Sequence, residues 1–379
     1  MKEFEVILYN MAELLPSFEA WQHNGRAEID LLRRKYGNME VPVVDCSAQG
    51  GYGEQHRTSM SLREYLDRVR GDGVSGEGLP PETSLYLKDW HFPRISRALQ
   101  ASEVDPTQTP HFFGDDWLNW WCDARQVDDY RFVYIGPSGT WTPLHHDVLN
   151  SYSWSFNVCG SKQWILFPPE TTPNLYDRHG RDLATDVRRG HFDPEKFPGL
   201  ETADRLDVLQ GPGEAIFVPS GWHHQVINAS DTRDPGGLTI SVNTNWFNGF
   251  NLDRVFSFLS AELDAVREAL GHLREEMCRG DEREWERQCE IIMRANSALN
   301  LTEFAAIIIR RARHLLASSF GSASSNDAPG DYKPTAFQGT AASKGSGSDD
   351  LRWRKVALRQ AADVLEKLAM EPCRSHLFL

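Results

Sequence analysis

The six cysteines of this 379-residue chain are scattered from Cys46 to Cys373, and no two of them form a CxxC pair. Zinc clusters and disulfide frameworks need closely spaced cysteines, so neither is indicated, and a reducing compartment is expected. No internal repeat is evident, and no apolar run approaches the length of a membrane-spanning helix. Glu3, Glu5 and Glu13 interrupt the N-terminal stretch MKEFEVILYNMAELL, which argues against a signal peptide. We therefore expect a protein without membrane contact, located in the cytoplasm or in both the cytoplasm and the nucleus.

Basic residues are scarce relative to acidic ones. The chain has 40 Lys and Arg against 54 Asp and Glu, a formal net charge of -14. Because affinity for nucleic acids is built largely from Lys and Arg contacts to phosphates, direct nucleic-acid binding is not expected. With 40% hydrophobic residues, the chain can form one large domain with a smaller appendage. Its 12 Trp and 19 Phe suit a β-rich fold whose inward faces carry aromatic side chains.

Hydrophobic patterning divides the chain into five parts. Short aromatic and β-branched runs predict barrel strands between Ser84 and Phe250: SLYLKDW, YRFVYIG, SYSWSFNVCG, KQWILFP, AIFVPS and LTISVNTNWF. Before them we predict a helical start, a strand at VPVVD and a helix around residues 61–70. After Gly249, apolar residues at helical spacing predict a helical bundle, in which residues 255–277 read as one helix. The predicted parts are an N-terminal elaboration (1–83), the barrel (84–252), the bundle (253–316), a disordered linker (317–350) and a terminal helix (351–379).

A polar stretch from Pro169 to Leu209 interrupts the barrel pattern. It is rich in Asp, Arg and Pro and is too long for a hairpin turn. Long loops at the mouth of a barrel are commonly functional, and plain surface elaboration is an equally good interpretation. The sequence leaves these two roles open.

Two motifs supply the residues best suited to bind a metal ion. The first is TPLHHD, from Thr142 to Asp147, and the second is FVPSGWHHQVIN at residues 217–228. His145 and Asp147 are two positions apart, so on an extended strand both project from one face, while a distant strand supplies a third ligand. Two imidazoles and one carboxylate form the facial triad of iron oxygenases, which leaves three coordination positions for a bidentate cosubstrate and O₂. A lone HxD pair is more often structural, so the second motif is needed for this prediction.

The third ligand is one of two adjacent histidines, His223 and His224. Neighbours on a strand face opposite ways, so only one of them can reach the metal. Spacing alone leaves the choice between them open. The middle histidine of the first motif, His146, should point away from the metal for the same reason.

These motifs carry a family resemblance. TPLHHD, the lysine fifteen positions later at Lys162, and PSGWHH together resemble the jumonji-C oxygenases, and the similarity runs from about Leu85 to Leu252. The resemblance implies a mainly β fold with α elements, a double-stranded β-helix (jelly-roll, cupin-like) with an N-terminal elaboration and a C-terminal helical bundle. It implies Fe(II) and 2-oxoglutarate as cofactors, with O₂ as cosubstrate. It also favours His224 as the third metal ligand, because two aromatic positions precede the ligand in the family pattern.

The resemblance also implies residues that bind the cosubstrate. Lys162 is the expected cation for the C5 carboxylate of 2-oxoglutarate, and Thr142 and Tyr86 are the implied hydroxyl donors. Asn243 and Asn245 lie two apart on the last apolar strand, so both can face inward toward the cosubstrate or the groups that support it. With the metal ligands, these residues form the predicted site.

Within the family, the chain most resembles lysyl hydroxylases that act on the translation termination factor, eukaryotic release factor one. A protein substrate is therefore expected. Histone lysine demethylation uses the same chemistry on an N-methyl group, although such enzymes usually add chromatin-reader modules and zinc modules. A catalytically silent binding module is a third class, which would typically lack a metal ligand or the cosubstrate lysine. The apolar stripes between Val255 and Leu316 further predict a homodimer.

Four aspartates, Asp115, Asp116, Asp128 and Asp129, could attract a cationic lysine into the site. Paired aspartates near strand ends are more often solvated turn residues. The structural interpretation is therefore favoured over the functional one.

Overall fold

The computed structural model describes residues 7–8, 16–49, 55–71, 82–92, 94–95, 109–110, 113–230, 236–319 and 347–370. The chain divides into two compact units. The first comprises Met1–Gly114, Asp128–Asp147 and Tyr152–Asn245, and the second comprises Asp115–Val127, Val148–Ser151 and Trp246–Leu379.

The first unit is rich in strands, which contain every β run predicted from the sequence. Its helices are α1 (Ile29–Tyr36) and α2 (Leu62–Arg70). The strands follow one another as β1 (Ile7–Leu8), β2 (Gln22–His23), β3 (Arg26–Ala27), β4 (Glu40–Gln49), β5 (Gln55–Ser61), β6 (Leu85–Trp90), β7 (Arg131–Pro137), β8 (Trp141–His146), β9 (Tyr152–Cys159), β10 (Ser161–Phe167), β11 (Leu206–Gln210), β12 (Ala215–Val218), β13 (His223–Ala229) and β14 (Leu238–Trp246).

Two sheets form the frame of this unit. The larger has the order β1-β12-β9-β14-β7-β6-β4-β5, and the smaller has the order β11-β10-β13-β8. They face each other, because Lys162 Nζ on β10 lies 2.6 Å from Ser241 Oγ on β14. An apolar cluster fills the space between them: Trp164, Leu166, Ile216, Val218 and Val226. The jelly-roll prediction is confirmed, although the two sheets stay separate and do not close into one barrel.

The polar stretch between β10 and β11 forms a packed layer on the outer face of the smaller sheet. It contains two 3-10 turns, Pro169–Leu175 and Pro198–Glu201. The cluster that joins the layer to the sheet comprises Trp141, Leu144, Ile165, Phe167, Leu175, Ala184, Val187, Phe197, Leu200 and Ile227. Gln225, fully buried on β13, donates to Asp186 Oδ1 at 2.9 Å and accepts from the Val187 amide at 2.6 Å. Of the two roles left open by the sequence, the structure supports a structural elaboration.

The second unit is helical. Its helices are α3 (Trp117–Arg125), α4 (Leu252–Leu270), α5 (Arg274–Cys278), α6 (Glu282–Ser297), α7 (Leu301–Ser319) and α8 (Gly347–Met370). Asp116 and Asp281 cap α3 and α6 by accepting hydrogen bonds from backbone amides of the first turn. Helix α8 packs against α7 and α4. A Cβ added at Gly249 would lie 2.3 Å from Ala357 Cβ, so α8 approaches the backbone there as closely as only glycine allows. Among the described residues, no helix is both long enough and apolar enough to cross a membrane.

Some local predictions differ from the structure. The predicted helical start is wrong at Ile7–Leu8, which form a strand because they pair with β12, and the rest of residues 1–15 lies outside the described residues. The helix predicted over 255–277 is interrupted at Gly271, where α4 ends. Strands β4 and β5 extend the larger sheet to residues before 84. The predicted disordered linker is wrong at residues 317–319 and 347–350, which belong to α7 and α8, and its residues 320–346 lie outside the described residues.

Candidate active site

Three side chains with metal-binding atoms converge between the two sheets. The ligand atoms of His145, Asp147 and His224 all lie within 4.8 Å of one another. Among the described residues, these three form the group of His, Cys, Asp or Glu side chains that could hold a metal ion. His145 on β8 pairs in register with His224 on β13, and their ring centroids are 4.3 Å apart. Asp147 follows β8 directly. A two-residue spacing and one cross-strand pair therefore bring the predicted ligands together.

Backbone carbonyls orient both imidazoles. His145 Nδ1 lies 2.8 Å from the Pro143 oxygen, and His224 Nδ1 lies 3.4 Å from the Trp222 oxygen. A carbonyl oxygen can only accept, so each Nδ1 carries the proton and each Nε2 offers its lone pair. Burial, followed by the charge of His224, lowers the pKa of His145 to about 3, and burial also lowers the pKa of His224. Both rings are therefore neutral near pH 7, as metal ligands must be.

The carboxylate of Asp147 is held at both oxygens. The residue is 9% exposed, and its Oδ2 accepts from Ser153 Oγ at 2.7 Å. Its Oδ1 accepts from Asn245 Nδ2, also at 2.7 Å. The structure thus places Asn245 as a support for the carboxylate. Ser153 has the same role and was missed in the sequence, since no motif marks a serine on the next strand.

His223 faces away from this group. On β13, His224 pairs with Leu166 of the inner cluster, whereas His223 pairs with Phe167 of the outer cluster. His223 contacts His146, at 5.2 Å between ring centroids, and its Nδ1 lies 3.4 Å from Thr172 Oγ1. The strand register therefore brings His224, and not its neighbour, to the candidate metal position.

A β-bulge turns Thr142 toward the same side as His145. Strict alternation would place residues three apart on opposite faces. The β8–β13 register shifts, however, so that Thr142 pairs with Val226 while His145 pairs with His224. Residues 224 and 226 share a face, and Val226 belongs to the inner cluster. The extra residue in β8 thus brings the Thr142 side chain inside.

Lys162 is a buried cation with a neutral partner. It is 2% exposed, its Nζ donates to Ser241 Oγ at 2.6 Å, and the Tyr134 ring centroid lies 5.3 Å away. No carboxylate pairs with it among the described residues. Burial, followed by the charge of Lys88, lowers the pKa of Lys162 to about 7. Such a site stabilises an anion that enters it.

Asn243 supports this lysine indirectly. Its Oδ1 accepts from Ser241 Oγ at 3.2 Å and from Ser155 Oγ at 3.0 Å. Because Ser241 donates to Asn243, its lone pair remains available to Lys162. The prediction that residues 243 and 245 face inward agrees with these contacts.

Tyr86 lies at the same end of the pocket as Lys162. It is 2% exposed, its ring centroid lies 6.1 Å from that of Tyr134, and its hydroxyl contacts the Asn228 amide. Burial raises the pKa of Tyr86 well above its usual value, so the phenol remains a hydrogen-bond donor. A Cβ at Gly136 would lie 2.5 Å from the Tyr86 ring, which explains the glycine there.

The four candidate acidic residues are engaged in structural contacts. Asp116 caps α3, and the others form ion pairs: Asp115 with Arg311, Asp128 with Arg94, and Asp129 with Arg131. These contacts support the structural interpretation of the aspartate pairs.

Comparison with known proteins shows one family and several relatives. A family model described as a cupin-like domain matches residues 5–252. The chain is 43% identical over 282 residues to the human "2-oxoglutarate and iron-dependent oxygenase JMJD4", covering 74% of this chain and 63% of that protein. It is 35% identical over 326 residues to the "Arginine-specific demethylase JMJ20" of Arabidopsis thaliana, covering 82% of this chain and 65% of that protein. It is 26% identical over 252 residues to the "Bifunctional arginine demethylase and lysyl-hydroxylase psr-1" of Caenorhabditis briggsae, covering 62% of this chain and 55% of that protein. The chain thus spans less than two thirds of the length of these relatives.

Proposed function

Because the chain belongs to the cupin-like domain family, we propose that it is an Fe(II)- and 2-oxoglutarate-dependent oxygenase that hydroxylates a protein side chain. The group of two histidines and one aspartate within 4.8 Å carries this proposal. The jumonji-C resemblance seen in the sequence is confirmed by the JMJD4 relatives, and their names support the predicted cofactor pair.

The chain's own residues fit both cofactors. His145 and His224 would bind Fe(II) through Nε2, and Asp147 would bind through a carboxylate oxygen that Ser153 and Asn245 hold in place. Two imidazoles and a carboxylate are the donor set typical of non-haem Fe(II) oxygenases.

The dicarboxylate also finds suitable partners. The Lys162 ammonium would pair with the C5 carboxylate, with Thr142 and Tyr86 as hydroxyl donors. A buried ammonium whose partner is a neutral hydroxyl is stabilised by an incoming anion. The ammonium in turn offsets the free-energy cost of removing water from that anion.

With O₂, iron and 2-oxoglutarate supply the oxidising power that inserts oxygen into a C–H bond. The protein holds the reacting groups in place and excludes water. Trp164, Leu166 and Val226 form an apolar wall between the sheets. Ser241 keeps Lys162 oriented, and the phenol of Tyr86 stays protonated because burial raises its pKa. Which substrate is oxidised then depends on which of its side chains reaches the metal.

For the substrate, we propose a lysine of eukaryotic release factor one. The support is the resemblance of residues 85–252 to lysyl hydroxylases of that factor, together with 43% identity to human JMJD4. A lysine side chain is long enough to enter a pocket between two sheets. The net charge of -14 favours the approach of a cationic substrate.

The test is to incubate the protein with release factor one, Fe(II), 2-oxoglutarate and O₂, and then to analyse the factor by mass spectrometry. We expect the added mass of one oxygen atom on a lysine, with stoichiometric succinate. The Asp147→Ala variant serves as the control and should give neither product. Succinate coupled to oxidation of another protein would overturn the substrate alone, whereas failure to bind 2-oxoglutarate at all would overturn the oxygenase proposal.

Demethylation of N-methyl groups is a second candidate, favoured by the names of the relatives JMJ20 and psr-1. Methylated arginine and lysine peptides should be incubated in parallel with the release factor. Formaldehyde release from a peptide, without oxidation of the release factor, would replace the hydroxylase proposal with this one.

A further inference from the structure

Strand β6 contains a bulge beside the candidate active site. Leu87 pairs with Ile135 and Trp90 pairs with Val133, so two residues of β6, Lys88 and Asp89, stand opposite the single residue 134 of β7. Asp89 has a φ of 61°, in the left-handed region that residues with a side chain rarely adopt. Bulges of this kind re-aim side chains and are frequent next to active sites.

The bulge turns both residues inward. Ile135 and Val133, which are fully buried, share one face of β7, so Tyr134 between them faces the other sheet, where its ring covers Lys162. Asp89 Oδ1 accepts from the Tyr134 hydroxyl at 2.7 Å, which places Asp89 on that inner side. Lys88 occupies the same bulge position and is two residues from Tyr86.

Lys88 also lies nearer to the metal ligands than Tyr86 does. Along β14, residue 241 pairs with Tyr134, and residue 245 beyond it reaches Asp147. Tyr86 lies beside Gly136 of β7, on the side of Tyr134 that is away from residue 245. Moving from Tyr86 to Lys88 along β6 is therefore a step toward the metal.

The two bulge residues differ in their partners. Asp89 accepts from Tyr134 and pairs with Arg57, so its charge is compensated. The half-buried Lys88 makes no hydrogen bond or ion pair in the described part of the chain, although the charge of the adjacent Asp89 acts on it. Its charge reaches the Lys162 end of the pocket, since it is the cause that, after burial, lowers the pKa of Lys162. The pocket thus contains a second cation, which no carboxylate of the described residues contacts within ion-pair distance.

We infer that Lys88 is a second cosubstrate-binding residue, whose ammonium holds the carboxylate at the metal end of 2-oxoglutarate while Lys162 holds the distal one. This inference rests on the proposed function. A ligand with a carboxylate at each end suits a pocket with a cation toward each end, and the bulge provides the nearer one. Lys88 is not part of the metal-binding group, nor of the motifs TPLHHD and PSGWHH.

The test measures binding of 2-oxoglutarate without turnover. The protein is loaded with Mn(II) in place of iron, and the dissociation constant is measured by calorimetry. Lys88→Met keeps the length of the side chain and removes the charge, and it should weaken binding about 10- to 100-fold, the range for a hydrogen bond between charged groups. Lys88→Arg should bind within about threefold of the wild type. Lys196→Met, at an exposed lysine paired with Asp182, is the matched control and should bind like the wild type.

A double-mutant cycle identifies which carboxylate Lys88 holds. If the two lysines hold opposite ends, the fold-losses of Lys88→Met and Lys162→Met multiply in the double variant. An effect of Lys88→Met that disappears in the Lys162→Met background would overturn the inference, because Lys88 would then act through the distal carboxylate. So would an unchanged affinity in Lys88→Met, including the case in which only the Michaelis constant of the protein substrate rises. If the wild type and Lys196→Met do not bind 2-oxoglutarate, the proposed function itself fails.

Discussion

His223 and His224 carry the same imidazole but face opposite sides of the smaller sheet. The substitution His224→Ala removes one of three metal ligands, so Mn(II) affinity should fall more than about 100-fold, because even the loss of outer partners of a ligand costs up to that much. His223→Ala should keep the metal, since its ring contacts His146 and Thr172. Metal content after dialysis measures both. If only the His223→Ala variant loses the metal, the ligand is His223 and our assignment is off by one residue.

Lys162 makes cosubstrate binding depend on pH. In the free protein its pKa is about 7, far below the usual 10.5 of lysine, because burial disfavours the charged form. A bound carboxylate stabilises the ammonium and raises that pKa. Below pH 7 the lysine is already charged, whereas above pH 7 binding must take up a proton, so affinity should fall by up to about tenfold per pH unit.

Calorimetry of the Mn(II)-loaded protein in buffers of different ionisation enthalpy measures this proton uptake. It should approach one proton at pH 8.5 and be near zero at pH 6, values chosen on either side of that pKa. Lys162→Arg, which stays charged throughout, should remove the dependence. Equal uptake at both pH values would show that Lys162 is not the group that titrates.

At the scale of the strand, alternation predicts some of the site correctly and fails at the bulges. His145 and Asp147 could be assigned as ligands because a two-residue spacing needs only an extended chain. Thr142 could be assigned only by resemblance, because its inward position depends on the register shift between β8 and β13. Lys88 was missed for the same kind of reason. A bulge arises from the pairing of strands distant in sequence, and no local pattern at residues 88 and 89 reveals it.

Gln225 joins the outer layer to the strand that carries His224. Its amide is fully buried and bonds to Asp186 and to the Val187 amide. Gln225→Ala leaves both groups without this partner, so the free energy of unfolding should fall by about 2–3 kcal/mol. Urea denaturation measures the change, and hydrogen exchange at residues 176–200 should become faster. Gln163→Ala, on the exposed side of β10, is the control; equal effects of the two substitutions would show that the layer does not depend on Gln225.

For the whole molecule, we keep the prediction of a homodimer. The helical unit exposes several large apolar side chains: Phe250, Met277, Ile291, Leu316 and Val356. Burial of such residues between two copies would be favourable by about 25 cal/mol per Å² of apolar surface. Light scattering should give twice the mass of the chain, and Ile291→Glu should shift the protein toward the monomer if α6 lies in the interface. A single-chain mass over a broad concentration range would exclude the dimer.

Helix α8 has a further consequence for how the polypeptide could be divided. Its buried residues, Ala357, Ala361, Val364 and Leu368, recur at helical spacing, and the close approach at Gly249 fits a small residue on each side. Shape complementarity of this kind does not need a covalent connection. A polypeptide of residues 1–319 should therefore recapture a separate peptide of residues 347–370, which makes α8 an exchangeable part that can carry a label or a cross-linker. Gly249→Val, which fills the space opposite Ala357, should abolish this complementation.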